Sequence, residues 1–161
     1  MTDLKSILIE EINLKGPMPL SHYIQKCLFH PIYGYYVKET VFGTGGDFTT
    51  APEVSQMFGE LLTMSILQAW MDQGSPSKII LAELGPGRGT LMADVLRTLK
   101  NHPEFLNATE IHLIEASQNL KLKQKKVLSG YKIFWHNEFP CFDGKHLFLI
   151  ANEFFDALPI E

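Results

Sequence analysis

The chain has 161 residues, of which 45% are hydrophobic and 11% aromatic, enough for an ordinary buried core within the size of one domain. A formal charge of −4, with no segment basic throughout, leaves no footprint for nucleic-acid phosphates, and no apolar run approaches the roughly 20 residues of a membrane helix. Cys27 and Cys141 stand far apart without a Cys-x-x-Cys or Cys-His cluster, which argues against a structural zinc and for two buried thiols in a reducing compartment.

The opening stretch MTDLKSILIEEINLKG mixes acids into its apolar positions, unlike a signal peptide or an Arg-rich transit sequence. A soluble cytoplasmic chain of bacterial type is expected, or a mitochondrial one for a processed organellar homologue. Leu4, Ile7, Leu8, Ile12 and Leu14 have nearly helical spacing and stop at Gly16-Pro17. A second helix is predicted from Leu20 to Phe29, ended by His30-Pro31, and the Gly- and Tyr-rich stretch IYGYYVKETVFGTGGDF reads as a long ordered loop. Thr50-Ala51-Pro52-Glu53 matches a capping box with Pro in the first turn, and its helix is expected to run to about Asp72. On it Met57, Phe58, Leu61, Leu62, Met64 and Trp70 share helical spacing and are expected in the core.

Beyond residue 75 the pattern changes. KIILAEL, IHLIEA, YKIFWH and HLFLIAN are short apolar runs that read as buried strands. TLMADVLRTLK separates the first two and SQNLKLKQKKVLSG the next pair, both helical in pattern. The basic run KLKQKK within the latter is read as a solvated helix face. Strand-helix-strand alternation implies a parallel α/β sheet. The expected organisation is a helical and loop extension over 1–75 and a Rossmann-like half-domain over 76–161.

The run Glu83-Leu84-Gly85-Pro86-Gly87-Arg88-Gly89 follows a predicted strand and precedes a predicted helix. Glycines at such a turn let a ligand approach the backbone at the carboxyl end of the sheet, where open parallel sheets bind ligands. A dinucleotide turn wants Gly-x-Gly-x-x-Gly, but Thr90 occupies the sixth position and Gly89 comes one residue early, which weakens an NAD reading. No P-loop pattern is present. Glu83, just ahead of the first glycine, would repel a pyrophosphate and suits the ammonium group of S-adenosylmethionine. Glu115 closes the second strand, where a carboxylate can accept from both ribose hydroxyls. It lies 30 residues past Gly85 rather than the usual ~20, and the extra NHPEFLNATE is read as a surface insertion.

HPIYGYYV, GDFTTAPEVSQMFGELL, LAELGPGRGTLMADVLR, HLIEAS and IANEFFDALP, in this order, resemble the motifs of the MidA-like methyltransferases, a family that includes a mitochondrial complex I assembly factor. The resemblance covers essentially the whole chain. It implies a class I methyltransferase fold with strand order 3-2-1-4-5-7-6 and S-adenosylmethionine as donor. For the mitochondrial member it implies dimethylation of an arginine in a complex I subunit. Family members continue for a comparable length past Glu161, so these four strands would form one half of the sheet, with HLFLIAN as an apolar edge.

Methyl transfer needs an aligned nucleophile, exclusion of water and a timely proton removal. For a guanidinium acceptor, carboxylates must hold the cation. Asn152 and Glu153 end the fourth predicted strand and Asp156 and Glu161 follow, an arrangement similar to the paired-glutamate loop of arginine methyltransferases. Glu153 is the first candidate, with Asn152 and Asp156 beside it. The loop GTGGDFTTAPE offers Asp47 and Thr50 as groups that could close over the cofactor. The six histidines show no metal-ligand spacing. The competing readings are a non-catalytic binding or assembly module and, further off, an NAD-dependent oxidoreductase. Neither the oligomeric state nor the acceptor protein is written in these residues.

Overall fold

A computed structural model of the chain describes residues 3–37 and 50–159. It divides into two compact units, Thr49–Asn152 and a smaller one made of Met1–Phe48 with Glu153–Glu161. The larger unit therefore begins well before the boundary at 75 drawn from sequence, because the helix over 56–72 packs with the strand-and-helix core.

That unit holds β1 (Ile79–Leu84), β2 (Thr109–Ile114), β3 (Ile133–His136) and β4 (His146–Ile150) in one parallel sheet of order β3-β2-β1-β4. This is the order expected for one half of a class I methyltransferase sheet. All six residues of β1 are buried, as suits a central strand covered on both faces and read as a near-continuous apolar run. The helices are α3 (Ala51–Val54), α4 (Gln56–Asp72), α5 (Thr90–Leu99), α6 (Pro103–Ala108) and α7 (Gln118–Val127), with α1 (Leu4–Lys15) and α2 (Leu20–Phe29) belonging to the smaller unit. On α5, Leu91, Met92, Val95, Leu96 and Leu99 recur at spacings of three and four and are all buried. α4 buries Gly59, Thr63, Ile66, Leu67 and Trp70 on one face. A Cβ at Gly59 would stand 2.6 Å from the Cβ of Asp94, so that glycine allows α4 and α5 to approach closely.

Several expectations are corrected. The helix predicted from Thr50 to Asp72 is broken at Ser55, which is extended (φ −152°, ψ 129°) and whose hydroxyl caps α4 by accepting from the Met57 N–H at 3.2 Å. Thr50 makes no side-chain cap, and Glu53 turns instead to the Thr90 hydroxyl (2.7 Å) and to Arg88 (3.5 Å). Met57, Phe58, Leu61 and Met64 are exposed rather than core. α4 is apolar around most of its circumference, and only one face meets α5 and the sheet. The segment read as a surface insertion forms α6, whose Phe105 is fully buried with its ring edge-on to Trp70 at 5.3 Å. Cys27 is half-buried and Cys141, between β3 and β4, is exposed. The basic run is only partly a solvated face, since Lys121 and Gln124 lie on the side of α7 that turns inward with Leu128.

The smaller unit contains α1 (Leu4–Lys15) and α2 (Leu20–Phe29). The Asp3 carboxylate caps α1 by accepting from the Ser6 N–H at 2.7 Å, and Gly16 ends it at φ 88°. Glu11 joins the two helices through Lys26 of α2 (2.6 Å) and also bonds Lys15 of its own helix (3.0 Å), and these hydrogen bonds hold its carboxyl down to about 2. Single 3-10 turns at Tyr35–Val37 and Phe155–Ala157 complete it. No helix among the described residues is long and apolar enough to cross a membrane.

Candidate cofactor site

The site is built where β1 and β2 end. Gly85, Gly87 and Gly89 have φ of 60°, 53° and 85°, a left-handed path that residues with a Cβ rarely follow. The Gly85 N–H donates to the Ile114 carbonyl at 3.0 Å, so pairing with β2 runs one residue into the turn. Gly89 is the N-cap of α5. The two later glycines serve different ends. A Cβ at Gly87 would point into open space, whereas one at Gly89 would stand 3.4 Å from Gln124 Cγ and 3.6 Å from Leu128 Cδ1. Gly87 thus leaves a cradle open, and Gly89 lets α7 close against the turn.

Glu83 sits on β1 opposite Leu113 of β2 and Ile150 of β4, only 3% exposed. Its Oε2 is buried without a hydrogen-bond partner, and burial pushes the carboxyl up to about 8. A carboxylate in that position is costly until a cation or a donor reaches it. Glu115 follows β2, and its N–H donates to the His136 carbonyl at 2.9 Å. Oε1 accepts from the Ser117 N–H at 2.8 Å and Oε2 from Gln124 Nε2 at 3.3 Å, which leaves lone pairs on both oxygens for further donors. Burial raises the Glu115 pKa, opposed by those hydrogen bonds and by Lys121.

Sequence reasoning missed Gln124, placed there on a solvated face. The missed signal was its spacing from Leu128 and Lys121, the inward stripe of α7. His112 and His136 also meet, Nδ1 to Nε2 at 2.9 Å, but no group of three or more metal-ligating side chains forms among the described residues.

The acceptor-side candidates are less gathered. Asn152, two residues past β4, is half-buried and lines a groove of about 260 Å³ with Phe58, Leu62, Ile66, Phe148 and Ile150. Glu153 belongs to the smaller unit, is exposed, and has φ 49°, an uncommon conformation for a residue with a long side chain. Asp156, also exposed, adds to the rise of the Tyr36 pKa, whose larger cause is burial. Thr50 is half-buried before α3, and its neighbour Glu53 reaches the glycine turn through Arg88 and Thr90. Asp47 and Glu161 lie outside the described residues.

A parallel sheet with a three-glycine turn after its central strand, a buried acid before the turn and a bonded acid after the next strand defines a Rossmann-like domain of the class that binds an adenosine-bearing cofactor. A family model of S-adenosyl-L-methionine-dependent methyltransferases matches residues 61–161, and the chain belongs to that family. It is 38% identical to the mitochondrial protein arginine methyltransferase NDUFAF7 of Xenopus tropicalis over 95% of this chain and 41% of that protein. With the Homo sapiens protein of the same name it shares 35% identity over 99% of this chain and 42% of the relative. A crystal structure from Burkholderia thailandensis, bound to S-adenosyl-homocysteine, superposes with a TM-score of 0.79 at 29% identity, covering 97% of this chain and 42% of that one. The chain thus spans about two-fifths of the length of the proteins it matches.

Proposed function

We propose that this chain supplies the S-adenosylmethionine-binding half of a methyltransferase that modifies arginine in a protein substrate, with a respiratory complex I subunit as the acceptor that the family resemblance implies. The observation that carries the cofactor assignment is Glu83, a buried carboxylate with an unpartnered oxygen two residues ahead of an open glycine turn. A cofactor bearing an ammonium group answers the charge that this carboxyl takes on when it gives up its proton. Gly85, Gly87 and Gly89 present backbone to the methionine and ribose portions, and Glu115 accepts from the ribose hydroxyls. Thr50 stands beside the cofactor, a role supported by the bond that Glu53, three residues on, accepts from the Thr90 hydroxyl, and Asp47 is assigned the same role from the sequence. Asn152, Glu153 and Asp156 hold the acceptor guanidinium. With its relatives the protein would work in mitochondria, and in a bacterial setting in the cytoplasm.

Calorimetry with S-adenosyl-homocysteine, S-adenosylmethionine and NAD tests the cofactor assignment. The two adenosyl ligands should bind and NAD should not. Gly87→Val should raise the Kd for S-adenosyl-homocysteine at least tenfold in a folded protein, because a branched side chain fills the cradle. Unchanged affinity would remove the turn from the site. On the acceptor side, Glu153→Gln in a full-length relative should cut methylation and leave cofactor affinity intact. Equal activity would take Glu153 out of the reaction.

A further inference from the structure

Gln124 is fully shielded from solvent on α7. Its Nε2 donates to the Gly87 carbonyl at 2.8 Å and to Glu115 Oε2 at 3.3 Å, and its Oε1 accepts from Trp135 Nε1 at 3.0 Å. An indole N–H can only donate, so Trp135 fixes which way the amide points. The oxygen faces β3, and the two amide hydrogens face the glycine turn and the acid. Carbonyl and carboxylate both need donors, and a primary amide is the neutral side-chain group that offers two donors and an acceptor at once.

We propose that Gln124 is a positioning residue for the cofactor, setting the distance between the glycine turn and Glu115 so that one rigid cradle meets the ligand. This rests on the cofactor role proposed above for the turn and for Glu115. The ribose hydroxyls must find the carboxylate while the rest of the ligand lies along the turn, and the hydrogen-bonding window is a few tenths of an ångström wide. Without Gln124, the Glu115 carboxylate loses its side-chain donor and is left to main-chain N–H groups such as that of Ser117, and the Gly87 carbonyl loses its buried donor. The donated bond also favours the charged form of Glu115 against the burial that disfavours it. The charged form keeps every lone pair free to accept.

The test measures S-adenosyl-homocysteine affinity from pH 5 to pH 8 in the parent chain, in Gln124→Met, and in Gln124→Asn, which keeps the amide but withdraws it by one methylene. A second comparison repeats Gln124→Met in a Glu115→Ala background. Gln124→Met should raise Kd about tenfold at pH 7, should move the acid limb of binding to higher pH, and should have a smaller effect once Glu115 is gone. Gln124→Asn should fall between parent and Met. A ligand-free readout comes from the Trp135 indole N–H resonance, which should follow the titration of Glu115 in the parent and lose that dependence in either Gln124 variant. If the parent binds and both variants match it within twofold at every pH, the positioning role is overturned while the cofactor site stands. An equal loss with and without Glu115 overturns it too, since Gln124 would then act through general packing. If the parent itself fails to bind, the cofactor reading falls, and the positioning role falls with it.

Discussion

The two flanks of β1 differ in how far the chain satisfies its own groups. On the β2 side, pairing extends past the strand through Gly85, α7 closes against Gly89, and Glu115 and Gln124 bond each other and the turn. On the β4 side, β4 has one strand neighbour among the described residues, Leu147 and Leu149 are exposed, and the groove against Phe58 and Leu62 stays open. Glu83 stands between the flanks, in register with both. The difference teaches that geometry on the β2 flank is set by many bonds internal to this chain, while among the described residues β4 is held to the sheet by a single ladder. Substitutions should therefore divide in effect along β1.

The largest effect is expected at the divide itself. Burial lifts the Glu83 carboxyl from its ordinary value of 4.5 to about 8, so between those values the folded chain holds a proton that the unfolded chain has released. Stability is greatest below about pH 4.5 for this group and falls as pH rises through 8. The loss amounts to several kcal/mol, since each pH unit between the two values is worth roughly 1.4 kcal/mol. Denaturation curves from pH 5 to pH 9 should show that decline, and Glu83→Gln should flatten it. Binding of a ligand with an ammonium group should release a proton near pH 7, read by calorimetry in buffers of different ionisation enthalpy. A parent whose stability is flat over this window would mean that Glu83 has water or another partner.

On the satisfied flank, Leu113 of β2 is fully buried in the core beside β1. Leu113→Ala should lower stability by about 2–5 kcal/mol, the range for removing a packed leucine side chain, measured by urea denaturation. A loss under about 1 kcal/mol would show that this flank is not rigidly packed.

How much of this was legible follows from where each signal is local. The four strands, their parallel pairing and the glycine turn were readable because apolar runs, their alternation with helices and glycine spacing carry their meaning locally, while the strand order was an expectation of the family resemblance. The break at Ser55 was not, because Glu53 is drawn to Thr90 and Arg88, 35 and more residues away. Helical spacing grouped Met57, Leu61 and Met64 on one face, but periodicity cannot say whether that face is covered. Gln124 was hidden by its neighbours: four lysines in a six-residue run outweigh one amide, and only the packing of α7 on the turn turns it inward. Phe105 was lost the same way, its burial depending on Trp70 from a distant helix.

A more modest effect tests the bonded acid. Glu115→Ala should weaken S-adenosyl-homocysteine binding by about 1.5–3 kcal/mol, the range for hydrogen bonds to a charged group, with little change in the folded sheet. Titration calorimetry on parent and variant decides it, and a difference inside measurement error would leave Glu115 a structural acid that caps the start of α7 through Ser117.

The smallest effect belongs to the open flank. Along β4 the side chains alternate, with Phe148 and Ile150 turned to the core and Leu147 and Leu149 to the other face, so a change at Leu149 leaves the packed side untouched. Leu149 is 42% exposed and already meets water, and a lysine there keeps an apolar stem while its charge reaches solvent. Leu149→Lys should shift stability by less than about 1 kcal/mol. It should also reduce self-association in sedimentation velocity, because a charge on an apolar edge strand opposes pairing with a second copy. A stability loss as large as that of Leu113→Ala would mean that the chain covers this edge in solution, and the contrast between the flanks of β1 would collapse.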